Sequence, residues 1–192
     1  MRSIYNFIIK SNQRYNNSTD VEGTELILNT EITEKDYMYT NRIGEVKAIP
    51  ALIKTPIKPG DKVILHHNVF RRWVDIRGNE KDSSSFIQED EYMVSPEQIY
   101  AYKRKKKWKC LDNYCFIKPL KDESKWSVLS EQKLLGELVY SNKYLKSLGL
   151  SVGDVVGFSP DSEYEFNIED KKLYRVLSNQ ITIQYESAQK SN

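Results

Sequence analysis

The sequence predicts an all-β chain built from two related modules in tandem. Three observations carry this. The composition favours strands: 13 of the 192 residues are Tyr, Ile, Val and Thr recur throughout, and only 3 Met are present, a profile suited to pleated, half-buried surfaces. Apolar runs are short and bounded by turn residues. Five blocks of the first half recur in the same order in the second, the mark of an internal repeat.

At 39% hydrophobic residues, the chain has room for one ordinary domain or two small ones. Modules of about 90 residues have thin cores, so oligomerisation is expected to help. The net charge of +2 is too near balance to indicate a nucleic-acid partner. No apolar run approaches a membrane span, and residues 1–10 lack the apolar core and cleavage site of a signal peptide; no membrane association is expected. Cys110 and Cys115 make neither a disulfide framework nor a zinc site. A reducing cytoplasm is the simplest compartment.

The elements follow in order. Ser3-Ile4-Tyr5-Asn6-Phe7-Ile8-Ile9-Lys10 reads as a strand, and Ser11 to Asp20, with almost no apolar content, as a mobile loop. Within that polar region Leu26-Ile27-Leu28 is an apolar island behind Gly23. Gly44-Glu45-Val46-Lys47-Ala48-Ile49 alternates as a strand does. Lys58-Pro59-Gly60-Asp61 is a turn, Pro setting φ and Gly free to take a positive one. A strand is expected over Lys62 to His67, then a hairpin with its tip at Gly78 to Ser85. Glu91-Tyr92-Met93-Val94 is a strand. Ser95-Pro96-Glu97-Gln98 places a cap before Pro, a single helical turn, and Ile99-Tyr100-Ala101-Tyr102 closes the half. The run Lys103 to Lys109 reads as a linker.

The second half repeats this order. Lys10 to Lys118 is an offset of 108, Gly44 to Gly136 of 92, Gly60 to Gly153 of 93, and Gln98 to Gln180 of 82. The offset holds within a block and changes across loops, as loop deletion requires. The second copy lacks 16 residues of the first loop and 11 of the Gly78 loop.

These residues resemble the GroES-type co-chaperonins. Gly44-Glu45-Val46 is similar to the family's strand after its mobile loop. Lys58-Pro59-Gly60-Asp61-Lys62-Val63-Ile64 is similar to its turn and aliphatic strand, and Tyr92 to Ala101 to its terminal pattern, with Gln98 in place of an acid. Gly23-Thr24-Glu25-Leu26-Ile27-Leu28 looks like the mobile-loop motif, with Thr24-Glu25 where a second glycine is usual. The resemblance implies two tandem GroES-like partly open β-barrels: residues 1–102 with the long mobile loop, a basic linker at 103–112, and a loop-shortened module at 113–192. It implies a co-chaperonin that caps a GroEL-type chaperonin and assists protein folding, working as a homo-oligomeric ring. Gly23, Leu26, Ile27 and Leu28 would be the chaperonin-binding residues. A lid does no chemistry, so no catalytic residue, cofactor or metal is expected. Virus-encoded members exist, and the divergent, Lys/Asn-rich sequence fits one working in a host cytoplasm.

The loop has its own physical logic. Inserting each aliphatic side chain into a partner groove is worth roughly 1.5–3 kcal/mol, and ordering the loop costs about 2–5 kcal/mol. One loop binds weakly; a ring of loops binds tightly through effective concentration. The alternative is that Leu26-Ile27-Leu28 is a short strand in the module's own core.

Other features point elsewhere less strongly. Neighbouring strand residues face opposite ways, so His66-His67 do not ligate one metal from a regular strand. The run 103–109 and Arg71-Arg72, beside Trp108 and Trp73, offer an alternative nucleic-acid surface. A non-enzymatic assembly or interaction protein reusing the fold is the other alternative. Cys110 and Cys115 read as ordinary buried thiols. Zinc-dependent alcohol dehydrogenases share the fold, but the sequence has neither their Cys and His ligand set nor a Gly-x-Gly-x-x-Gly dinucleotide motif.

Overall fold

The computed structural model describes residues 3–15, 18–21, 24–27, 40–122, 131–169 and 171–185. The chain is all-β and divides into two compact units, Met1–Lys106 and Lys107–Asn192.

The first unit contains β1 (Phe7–Lys10), β2 (Ser18–Val21), β3 (Thr24–Ile27), β4 (Ile43–Ala48), β5 (Lys62–Leu65), β6 (Trp73–Val74), β7 (Glu80–Lys81), β8 (Phe86–Gln88), β9 (Glu91–Val94) and β10 (Ile99–Arg104). Six of these lie side by side in the order β8-β9-β1-β4-β5-β10, while β2-β3 and β6-β7 are separate two-stranded ribbons. Phe7, Ile8 and Ile9 are all buried. A central strand covered on both faces needs a continuous apolar run rather than alternation, which is what Phe-Ile-Ile supplies.

The second unit contains β11 (Lys107–Cys110), β12 (Tyr114–Lys121), β13 (Glu131–Tyr140), the helix α1 (Lys143–Ser147), β14 (Val155–Phe158), β15 (Tyr164–Ile168), β16 (Lys171–Leu177) and β17 (Ile181–Tyr185). Its sheet runs β15-β16-β12-β13-β14-β17. Strand for strand this is the order of the first unit. Here Cys115, Phe116 and Ile117 are the doubly buried central strand: Cys115 and Ile117 pack with Leu138, Val156 and Val176, and the Phe116 ring lies edge-on to Phe166 and Tyr140.

The registers agree to the residue. Ile9 faces Val46 and Tyr92, and Ile117 faces Leu138 and Tyr174. Gly44 faces Val63, as Gly136 faces Val156. Leu65 faces Ile99, as Phe158 faces Ile181. Each equivalence carries the offset read from the sequence. A bulge falls between Ile8 and Ile9, and again between Phe116 and Ile117.

The turns before β5 and β14 are also the same object. Gly60 (φ 85°) and Gly153 (φ 98°) take the left-handed conformation that favours glycine. Asp61 accepts from the Lys58 amide at 2.8 Å, and Asp154 from the Ser151 amide at 2.8 Å. Both acids are buried. Asp61 is bound by Arg104, whereas Asp154 accepts from Gln184 Nε2 at 2.8 Å.

Neither sheet closes: among the described residues no pairing joins β8 to β10 or β15 to β17. Several other expectations change. The opening strand starts at Phe7, not Ser3. The stretch 103–112 expected as a linker contains the boundary between the units and is largely strand. β10 continues to Arg104, Lys105 and Lys106 make a turn with φ of 51° and 63°, and β11 starts at Lys107. A charge run between two modules suggested a solvated linker, but alternation in Lys107-Trp108-Lys109-Cys110 turns Cys110 inward. The strand expected to reach His67 ends at Leu65, because His66 caps a 3-10 turn through its ring Nδ1, which accepts from the Asn68 amide at 3.1 Å. The helix α1 was not foreseen; Asn142 caps it, accepting from the Leu145 amide at 2.9 Å. The turn at Pro96–Gln98 is present, as Ser-Pro predicts.

Candidate functional site

The apolar island lies in a hairpin. Ser18 faces Ile27, Thr19 faces Leu26 and Val21 faces Thr24. Leu26 and Ile27 are on β3, whose partner is β2 rather than the six-stranded sheet. Part of the stretch read as an apolar-poor loop is therefore strand, consistent with β-branched Thr19 and Val21. Gly23 and Leu28 lie outside the described residues, as does Trp126-Ser127-Val128-Leu129 of the second half. A two-stranded hairpin is marginal alone in water, so its attachment to the body matters.

On the body, the residues that flank this segment on either side are bonded into a neck. The outgoing leg is Ser11 to Tyr15 and the returning leg is Thr40 to Ile43. Tyr15 and Thr40 form an antiparallel bridge, and the Asn41 amide donates to the Arg14 carbonyl at 2.8 Å. Asn41 Nδ2 donates to Gln13 O at 2.7 Å, Ser11 Oγ at 2.9 Å and Ile43 O at 2.9 Å; its Oδ1 accepts from the Ile43 amide at 3.0 Å. Asn is apt because its side chain can bond backbone two residues on. A polar depression of about 490 Å³ at the neck's foot is lined by Lys10, Asn12, Gln13, Asn41 and Lys62, among others.

The neck also grips the β6-β7 ribbon by both legs. Tyr15 is 3% exposed, and its hydroxyl accepts from the Arg72 amide at 2.7 Å. Arg14 pairs with Asp82 and lies 4.7 Å above the Phe86 ring and 5.7 Å from that of Tyr92. Burial pulls the Arg14 pKa down, but the Asp82 carboxylate and the Tyr92 phenol outweigh it and the net shift is upward. Burial likewise raises the Tyr92 phenol, against the opposing charge of Arg14. Arg72 lies 3.8 Å from Asp82 and 3.6 Å from Glu80. Beyond this base the ribbon exposes Trp73, Val74 and Ile76, the last 104% exposed.

The remaining candidates occupy other places. His66 and His67 stack with ring centroids 4.3 Å apart instead of facing opposite ways. Among the described residues no group of three or more His, Cys, Asp or Glu gathers where a metal could sit. Cys110 and Cys115 are free and buried. Burial pushes the Cys115 thiol up to about 12, and burial together with Cys115 pushes Cys110 well up; thiols so raised are poor nucleophiles. Trp108 is half-buried with its ring 6.2 Å from that of Tyr140. In the second unit a cavity of about 680 Å³ lies beside α1, lined by Asn113, Tyr114, Tyr144 and Leu177 among others.

Sequence reading found the apolar island and missed its support. Arg14, Tyr15, Asn41 and Asp82 carry no motif. The one available signal was Tyr15, a lone aromatic in a polar stretch.

No family model matches the chain, and no curated protein is similar enough to it to indicate common descent.

Proposed function

We propose that this chain is a co-chaperonin of the GroES type, acting in a cytoplasm, a host's if the source is viral. Each unit is read as a partly open barrel of that family. The first unit engages a GroEL-type chaperonin through the segment containing β2 and β3, and the assembled ring caps the chamber in which a client folds. The observation that carries the reading is that Leu26 and Ile27 sit on a hairpin outside the six-stranded sheet. A strand that served only the core would belong to the sheet. The equal strand order of the two units supports reading them as copies of one module. The second copy is 16 residues shorter where this segment stands, which supports reading the first as the partner-binding copy.

The test uses the full chain with a GroEL-type chaperonin and ATP. Wild type lowers the chaperonin ATPase and supports refolding of a client that requires a lid. Leu26→Asp and Ile27→Asp each abolish both effects. Chaperonin binding unchanged in both variants overturns the proposal.

A further inference from the structure

The cavity beside α1 belongs to the second unit and is bounded by three pieces of chain. These are residues 112–114 leading into β12, the helix α1, and residues 177–179, where β16 runs into the 3-10 turn Ser178–Gln180. One buried side chain ties the three together. Asn142 donates to the Asp112 and Tyr114 carbonyls and to Ser178 Oγ, and it caps α1 through the Leu145 amide. The Ser178 amide adds a bond to the Asn113 carbonyl at 2.9 Å. The walls are therefore fixed before any ligand arrives. The volume of about 680 Å³ falls within the range of small-molecule sites, about 300–1,000 Å³.

The lining is of two kinds. Tyr114 and Leu177, cross-strand partners in register, are half-buried, and Tyr144 is 47% exposed. Around them stand Asp112, Asn113, Lys143 and Asn179, all exposed. Among the described residues none bonds to these four side chains. The shared framework does not need this combination. Offsets of 108, 92 and 82 place Asn6, Leu52 and Ser95 of the first unit where Tyr114, Tyr144 and Leu177 stand, on a sheet of the same strand order.

The lining chemistry selects a ligand class. Two tyrosine rings and a leucine suit an apolar face. Asn113 and Asn179 each donate and accept, which suits neighbouring hydroxyls that do the same. Asp112 and Lys143 carry opposite charges, so the rim favours neither an anion nor a cation. A pyranose ring has this character: a C–H face that packs on aromatic rings, an edge of hydroxyls, and no net charge. We propose that this cavity is a carbohydrate-binding site for a neutral mono- or disaccharide, with Tyr114 and Tyr144 against the ring face and Asp112, Asn113 and Asn179 on its hydroxyls. The co-chaperonin reading makes no use of this site, and the two stand or fall separately.

The experiment is saturation-transfer NMR on the full chain, with maltose, cellobiose and N,N′-diacetylchitobiose as probes and adenosine as the competing class. At least one disaccharide is expected to receive saturation, most strongly at its ring C–H protons. Tyr144→Ala, at an exposed position, is expected to weaken that binding about tenfold, and Asn179→Ala to weaken it less. Leu148→Ala, exposed at the end of α1 and outside the cavity lining, is expected to leave it unchanged. No transfer to any of the disaccharides overturns the proposal, as does transfer to adenosine alone. Binding that neither Tyr144→Ala nor Asn179→Ala weakens overturns it too, because the sugar then sits elsewhere. So does an equal loss in Leu148→Ala and Tyr144→Ala, which marks general loosening of the unit. Where binding stands, displacement by a polymer of the bound sugar marks a polysaccharide as its source, and no displacement marks a free sugar.

Discussion

The two units share a framework and part company at one point. In the second, β12 and β13 continue as a ladder until Lys121 faces Glu131. There Glu131 is held by Lys172 at 2.9 Å and by the Tyr174 hydroxyl. In the first, β1 and β4 pair only as far as Lys10 and Glu45, and the chain opens into the neck. One unit spends the region on strand pairing; the other has there a segment that contains a separate hairpin. The sheet beneath tolerates both, because the bulge, the close-packed glycine and the acid-centred turn lie below the divergence. The comparison shows which residues define the module and which define what a copy does.

The sharpest test of the shared framework is the glycine pair. A Cβ at Gly136 would sit 2.2 Å from Ile117 Cγ2 and 2.7 Å from the Lys118 carbonyl oxygen. At Gly44 the clash with Ile9 Cγ2 is 2.4 Å, but the Lys10 carbonyl and the Phe70 ring are both 3.3 Å away. A side chain can rotate; a backbone carbonyl in a ladder cannot. Gly136→Ala is therefore expected to cost about 3 kcal/mol and Gly44→Ala about 1–2 kcal/mol, within the usual cost of overpacking. Hydrogen exchange resolved by unit, in a urea series on the full chain, separates the two. Equal costs, or the reverse order, would show that the close backbone carbonyl does not set the difference between the two glycine sites.

A second test concerns what only one unit has. Asn142 is buried; its Nδ2 donates to Ser178 Oγ at 2.7 Å, Tyr114 O at 2.8 Å and Asp112 O at 3.0 Å while Oδ1 caps α1. Carrying the offset of 92 back places it on Pro50, which has no side-chain donor. Asn142→Ala removes a helix cap and leaves buried acceptors unmatched, for about 2–3 kcal/mol. The loss should appear in the second unit alone. Equal loosening of both units in the same exchange experiment would show that this hub is not a local device.

Much of the framework was legible because it is written in local chemistry. Phe7-Ile8-Ile9 and Cys115-Phe116-Ile117 announce doubly covered strands, and Pro59-Gly60-Asp61 and Val152-Gly153-Asp154 announce turns. The offsets then match each strand of one half to its counterpart in the other. What stayed hidden depends on partners far away in the chain. Tyr15 meets Arg72 and Arg14 meets Asp82, at separations of 57 and 68 residues, and a single sequence gives no sign of either. The β10-β11 turn was hidden for another reason: Lys105-Lys106 adopts a two-residue positive-φ turn usually marked by Asn-Gly, so its charges read as a linker. The hairpin at 18–27 was half legible, since its apolar triplet stands out and its Ser-Thr-Asp partner strand does not.

The smallest expected effect separates the units by pH. Both histidines, His66 and His67, belong to the first. Burial, then the neighbouring His66, Arg42 and Arg71, push His67 from 6.5 down to about 3. The unfolded chain takes up this proton near pH 6.5, and the folded unit refuses it until about pH 3. Between those limits the unfolded state binds more protons, so stability present above pH 6.5 is lost as pH falls through the window. His67 is partly exposed, and solvent screening leaves about 1 kcal/mol of this, roughly 4–8 °C of midpoint for a module of this size. Asp61 acts lower down. Burial raises its pKa, but Arg104 and the Lys58 amide more than offset that, so its contribution holds above the ordinary 3.8 and is lost only below it. Between pH 7 and 4.5 the first unit should therefore lose midpoint while the second, without a histidine, changes less. His67→Gln should flatten the first unit's profile toward that of the second. A profile that His67→Gln leaves unaltered would place the acid sensitivity in the carboxylates instead, and the two units would then respond to pH alike.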